Sequence, residues 1–137
     1  MIKFNRHPKV GLVASCFDLL HAGHCLMLKD AKEQCDYLVA ALQTDPTVDR
    51  ANTKNKPLLS LEERRILLES NKYVDEILEY STEEELEKIL EKLLPDVRIL
   101  GSDYKGKVAT GTLYSKEVYY HDRNHDYSTT NIRKRLL

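Results

Sequence analysis

The 137 residues carry 21 Lys and Arg against 22 Asp and Glu, a formal charge of −1 at pH 7. That length predicts one domain over residues 1–137, large enough to bury a core without disulfides or structural metal. The near-neutral charge leaves no strong overall field for nucleic acid or an anionic membrane, and no apolar run approaches the ~20 residues of a spanning helix.

Residues 1–8 lack the apolar core and cleavage site of a signal peptide and are expected to be loosely ordered. Residues 10–14 read as a buried strand, and residues 22–34 as a helix with Leu26, Leu28, Ala31 and Cys35 on one side. A second buried strand is expected at 37–42, followed by a polar loop over 44–57. Ser60, with Glu63 three residues on, is the capping box of a helix running to about Asn71. Residues 76–80 alternate like a strand. Ser81 or Thr82 then caps an amphipathic helix whose stripe is Leu86, Ile89, Leu90, Leu93 and Leu94, stopped by Pro95. Residues 97–100 and 118–120 read as strands, and Ser128, Thr129 and Thr130 cap a basic terminal helix. Alternation of this kind predicts an α/β fold, a doubly wound parallel sheet of five strands with helices on both faces. Three cysteines, Cys16, Cys25 and Cys35, fit a reducing cytosol better than a disulfide scaffold.

Parallel sheets hold ligands at the carboxyl ends of their strands, so the chemistry is expected in the loops that follow them. In the first such loop, Ser15 and Cys16 are small enough to let backbone N–H groups approach a phosphate. His21 and His24 stand three apart at a strand-to-helix junction, with Gly23 between them where a Cβ would crowd a close approach. Two imidazoles there can donate to phosphate oxygens as charge builds on them, which points to phosphoryl or nucleotidyl transfer. Either histidine alone is more often an ordinary residue near a helix start. Cys16, His21, His24 and Cys25 match neither a CxxC pair nor a finger pattern, so no metal is assigned to the chain.

Arg50, Lys54 and Lys56 of the second loop could reach a triphosphate, although each alone also suits a solvated basic loop. Arg64, in the first turn of the next helix, is better placed. Gly101 can let a base or ribose lie against the backbone, with Asp103 as an acceptor beside Tyr104; a plain turn fits as well. Ser128, Thr129 and Thr130 offer hydroxyls and N–H groups at a helix start, with Arg123 close by in sequence to clamp the same anion; simple capping is the plainer account.

The motif Phe17-Asp18-Leu19-Leu20-His21-Ala22-Gly23-His24 resembles the HxGH signature of the cytidylyltransferase-like nucleotidyltransferases. Leu61-Glu62-Glu63-Arg64 is similar to the family's helix with a nucleotide-contacting arginine, Gly101-Ser102-Asp103-Tyr104 to its glycine–acidic–aromatic loop, and Arg123 with Ser128-Thr129-Thr130 to its closing RTEGISTT motif. The order matches the glycerol-3-phosphate cytidylyltransferase group. The resemblance implies a Rossmann-like sheet of the nucleotidyltransferase type. It also implies transfer of CMP from CTP to a small phosphorylated alcohol or amine, with release of pyrophosphate and Mg2+ on the triphosphate. His21, His24, Lys54, Lys56 and Arg123 would be catalytic. Ser15, Cys16, Phe17, Gly23, Arg64, Gly101, Asp103, Tyr104, Ser128, Thr129 and Thr130 would bind the nucleotide, and Asp18 the acceptor. Such enzymes are commonly homodimers. Ser15-Cys16 stands where these cytidylyltransferases usually have Gly-Thr, and the related heptose-phosphate adenylyltransferases have Gly-Cys. An adenylyltransferase using ATP and a sugar phosphate is therefore the alternative, and a nucleotide-binding module without catalysis is another.

Overall fold

The structure, a computed structural model, describes residues 7–137. The looseness expected of residues 1–6 lies outside the described residues. Five strands, β1 (Val10–Ser15), β2 (Tyr37–Gln43), β3 (Glu76–Tyr80), β4 (Val97–Gly101) and β5 (Glu117–His121), form one sheet in the order β3-β2-β1-β4-β5. All four pairings are parallel, as the alternating pattern predicts. Between them run α1 (Ala22–Glu33), α2 (Thr47–Arg50), α3 (Leu61–Glu69) and α4 (Glu83–Leu93), and α5 (Thr129–Arg135) closes the chain. The strand order reverses at β1, so its carboxyl end and that of β4 open a crevice where such sheets hold ligands.

Side-chain alternation sorts the strands between two cores. Val13, Leu38, Ala40, Leu42, Val97 and Ile99 pack with Leu28, Ala31 and Leu68 from α1 and α3. Leu12, Val39, Ala41 and Tyr80 face the other way, onto Leu86 and Leu90 of α4. Arg98 lies between Val97 and Ile99 in β4, in register with Leu12 of β1. It is therefore directed to the α4 face, and its guanidinium is almost wholly buried.

The helix starts follow the sequence closely. Ser60 and Glu63 form the expected capping box, and Thr82, rather than Ser81, caps α4. Three details differ. The 44–57 loop contains the single turn α2, started by Pro46, whose φ of −66° suits a helix. Leu94 takes a left-handed conformation (φ 47°) at the end of α4 and so leaves the apolar stripe for solvent. Leu26 is also exposed, and Met27 packs on the core in its place. Among the described residues no helix is long and apolar enough to cross a membrane.

Candidate active site

A cleft of about 560 Å3 opens across the carboxyl ends of β1, β2, β4 and β5. It is lined by Ser15, Cys16, His21, Gly23, His24, Lys54, Gly101, Asp103, Tyr104, Arg123, Ser128, Thr129 and Thr130. With Arg50, which also lines it, fourteen of the residues that the sequence nominates thus meet in one place, drawn from four loops.

At its centre the two histidines build the start of α1. The His21 ring is the N-cap: its Nδ1 accepts from the N–H groups of Gly23 (3.0 Å) and His24 (3.4 Å). His24 answers, its Nδ1 accepting from the N–H of His21 at 3.3 Å. The two residues form a capping box made of imidazoles, in place of the usual Ser and Glu. The rings stack with centroids 3.8 Å apart. A nitrogen that accepts a hydrogen bond carries no proton, so each neutral ring holds its proton on Nε2. Both rings are kept neutral. Burial pushes His24 down to about 3, with His21 and Arg123 adding to the effect. Burial also lowers His21, helped by the charge of Arg123. The pair thus presents two fixed, uncharged N–H donors.

Gly23 has a steric reason to lack a side chain. A Cβ there would stand 2.8 Å from the Tyr127 carbonyl oxygen and 2.9 Å from Cε1 of His21. On the opposite wall, Arg123 pairs with Asp103 (3.6 Å) and its N–H donates to the Ser102 hydroxyl (3.2 Å). Those contacts tie the loops after β4 and β5 together. Ser128 caps α5 by accepting from the N–H of Asn131 (3.0 Å), and the Thr129 hydroxyl donates to the Asp18 carbonyl (3.3 Å).

Four nominated residues lie elsewhere. The Phe17 side chain is buried in the core beneath the cleft. Its ring tilts against His24 at 5.5 Å and so supports the histidine. Arg64 is buried too, 2% exposed. Its Nε donates to the Leu59 carbonyl at 3.1 Å, NH1 to the carbonyls of Cys16 (3.0 Å) and Gln43 (2.6 Å), and NH2 to Thr44 (2.5 Å). These bonds make it a clamp between β1, β2 and α3, outside the lining of the cleft. The Asp18 carboxylate accepts from the N–H groups of Leu58 (2.9 Å) and Leu59 (3.0 Å) and meets Arg133 at 3.4 Å. It holds the approach to α3 and the last helix in place and does not line the cleft. Lys56 stands away from the cleft near Asp45, whose carboxyl is held below its usual range first by the Thr47 hydroxyl and also by Lys56. Lys54 alone of the two lysines lines the cleft.

The cleft also contains residues that the sequence did not single out. Arg98, Gln43, Tyr80 and Glu83 line its α4 side, and His121 and His125 the other end. Arg98 had a readable signal: a charge inside a strand expected to be buried on both faces needs a partner or a ligand. Cys16 offers no nucleophile. Burial raises its thiol, and Arg64 NH1 donates to its Sγ at 3.4 Å. Among the described residues no three His, Cys, Asp or Glu side chains converge on a metal position.

A family model described as cytidylyltransferase-like matches residues 12–135. The bifunctional protein HldE of Campylobacter concisus (strain 13826) is 38% identical over 128 residues, 93% of this chain and 27% of that protein. HldE of Helicobacter hepaticus (strain ATCC 51449 / 3B1) is 32% identical over 132 residues, 96% of this chain and 27% of that protein. The chain thus spans about a quarter of the length of the curated relatives it matches. A solved lipopolysaccharide core biosynthesis protein from Thermoplasma volcanium GSS1 shares the fold, with TM-score 0.61 and 22% identity over 95% of this chain and 87% of that one. Pantoate-beta-alanine ligase from Francisella tularensis does so with TM-score 0.61 and 17% identity, over 97% of this chain and 67% of that one.

Proposed function

The chain belongs to the cytidylyltransferase-like family of nucleotidyltransferases, and we propose that it transfers AMP from ATP to a sugar phosphate, releasing pyrophosphate. The stacked, neutral histidine pair carries the nucleotidyl-transfer part of this reading. The relatives named HldE favour the heptose-phosphate adenylyltransferase alternative over CTP with a glycerol-3-phosphate-like acceptor. Cys16, the residue that the adenylyltransferase group resembles at this position, agrees with them.

In the proposed reaction an acceptor phosphate oxygen forms a bond to the α-phosphorus of ATP. The bond from that phosphorus to the bridging oxygen of the β-phosphate breaks, and its electron pair leaves with pyrophosphate. No protein nucleophile is needed. The Nε2–H groups of His21 and His24 donate to the non-bridging α-oxygens, where charge is crowded in the transition state. Donors already fixed by the helix cap need no reorganisation at that moment. Lys54, Arg123 and Thr130 meet the remaining triphosphate charge, and Gly101 with Tyr104 leaves a shelf for the base. The carboxylates lining the cleft are Asp103 and Glu83, and each already has a cationic partner, Arg123 and Arg50. Among the described residues the cleft therefore builds no cage for Mg2+, which would be held by the triphosphate oxygens. Bound there, the ion would offset phosphate charge.

CTP is the second reading, favoured by Arg123, which resembles the cytidylyltransferase arginine and stands in the cleft. One assay separates the two: pyrophosphate release with ATP or CTP against sugar phosphates and phospho-alcohols. Release with ATP and a sugar phosphate is expected. Release with CTP alone would reverse the nucleotide assignment, and none with any pair would leave a binding module.

A further inference from the structure

The cleft runs over both faces of the sheet, and its two sides differ. The α1 side presents neutral histidines. The α4 side holds a cationic set that the nucleotide contacts leave unused. Arg98 is 3% exposed, and its NH1 donates to the Thr110 carbonyl at 2.5 Å. Among the described residues its Nε has no partner, nor have the Nε of Arg50 and the amide nitrogen of Gln43, itself 4% exposed. All three residues line the cleft.

The carboxylate lining the cleft on this side is Glu83, and its backbone N–H donates to the Asp49 carboxylate at 2.6 Å. The Glu83 Oε2 stands 3.6 Å from Arg50, and its Oε1 accepts from the Thr110 hydroxyl at 2.8 Å. That Oε2 is itself buried without a hydrogen-bond partner among the described residues, and this one cleft-lining carboxylate stands against two guanidiniums. A buried guanidinium with an idle N–H and no carboxylate of its own is costly unless an anion completes it. Arginine's planar fork suits phosphate.

Transfer between two phosphate-bearing substrates needs two anion sites that meet at one phosphorus. We propose that Arg98, with Arg50 and Gln43, is the site of the acceptor's phosphate, on the α4 side of the sheet and apart from the triphosphate. The inference rests on the nucleotidyltransferase reading. It adds which side the acceptor enters from and which residues hold its phosphate. Arg98 and Arg50 orient the phosphate so that an oxygen reaches the α-phosphorus held by the histidines.

The test uses the whole chain saturated with α,β-methylene-ATP, which cannot release pyrophosphate, and inorganic phosphate titrated calorimetrically as the probe. Wild type is expected to bind phosphate, and Arg98→Gln to bind it about tenfold to a hundredfold more weakly. Affinity for the nucleotide analogue should stay within about twofold. Arg50 is far more exposed than Arg98, so Arg50→Gln tests the same site without emptying the core, and a loss in the same direction is expected. Unchanged phosphate affinity in both variants overturns the proposal. Equal losses for phosphate and analogue overturn it too, because the arginines would then serve the triphosphate. An analogue that fails to bind removes the nucleotide reading, and phosphate binding that still depends on Arg98 keeps the anion site.

Discussion

His24 cannot take up a proton without damage to its surroundings. Its Nδ1 accepts the His21 N–H, and a proton there would set donor against donor. Burial depresses it from the ordinary 6.5 to about 3. The folded state therefore binds fewer protons than the unfolded chain at any pH between those values. Stability is complete above about 6.5 and is lost as pH falls toward 3. At pH 5 the loss from His24 is about 2 kcal/mol, and His21, lowered for the same reason, acts in the same direction. The Asn oxygen of a His24→Asn variant can accept the same N–H without titrating. Urea unfolding from pH 7.5 to 5, above the ordinary carboxylate range, is expected to show a shallower fall for this variant. Parallel curves for variant and wild type would mean that His24 is not held neutral. The spacing of the histidines was legible in the sequence, as was their place at a helix start. Their mutual cap was not, because nothing in a sequence says which ring nitrogen turns back to the backbone.

At the scale of the element, Arg64 joins three pieces of secondary structure. Its guanidinium satisfies carbonyls at the ends of β1 and β2 and at the start of α3. Replacing it with Met removes those donors but leaves the carbonyls buried. The expected cost is at least about 3 kcal/mol, read as a lower urea midpoint at constant slope. Arg64→Lys should recover less than half of it, since one ammonium cannot span carbonyls set that far apart. A change under about 1 kcal/mol in the Met variant would show that the clamp is dispensable. Here the sequence left the direction of the side chain open for a physical reason. An arginine in the first turn of a helix beside a phosphate cleft looks the same in sequence whether it points outward or inward. The same holds for Asp18, whose carboxylate accepts from the N–H groups of Leu58 and Leu59. The strands and helix starts were legible because they depend on local patterns: apolar runs, Ser60 with Glu63, Pro95 after α4. The long-range partners of a polar side chain follow no local pattern.

In the whole molecule the sheet and the cleft do not depend on the chain equally. All five strands are complete at His121, and both cores are built from residues before it, with Tyr119 packed at the edge of the α1 side and Tyr114 at that of the α4 side. Residues 123–137 add to the fold mainly through polar contacts: Thr129 and Arg133 to Asp18, and Arg123 to Asp103 and Ser102. Leu136 and Leu137 are exposed. That segment nevertheless supplies one wall of the cleft. A variant ending at Asp122 is therefore expected to unfold cooperatively, as the full chain does, but to lose its response to nucleotide. For the full chain, ATP at a hundred times its Kd should add about 2.7 kcal/mol to the unfolding free energy, seen as a rise in Tm. The shortened chain should show none, because ATP would meet the histidines without the facing wall. An undiminished rise in the shortened chain would place nucleotide binding wholly on the sheet and α1. In that case the terminal loop serves the acceptor instead, and Arg123 leaves the triphosphate site.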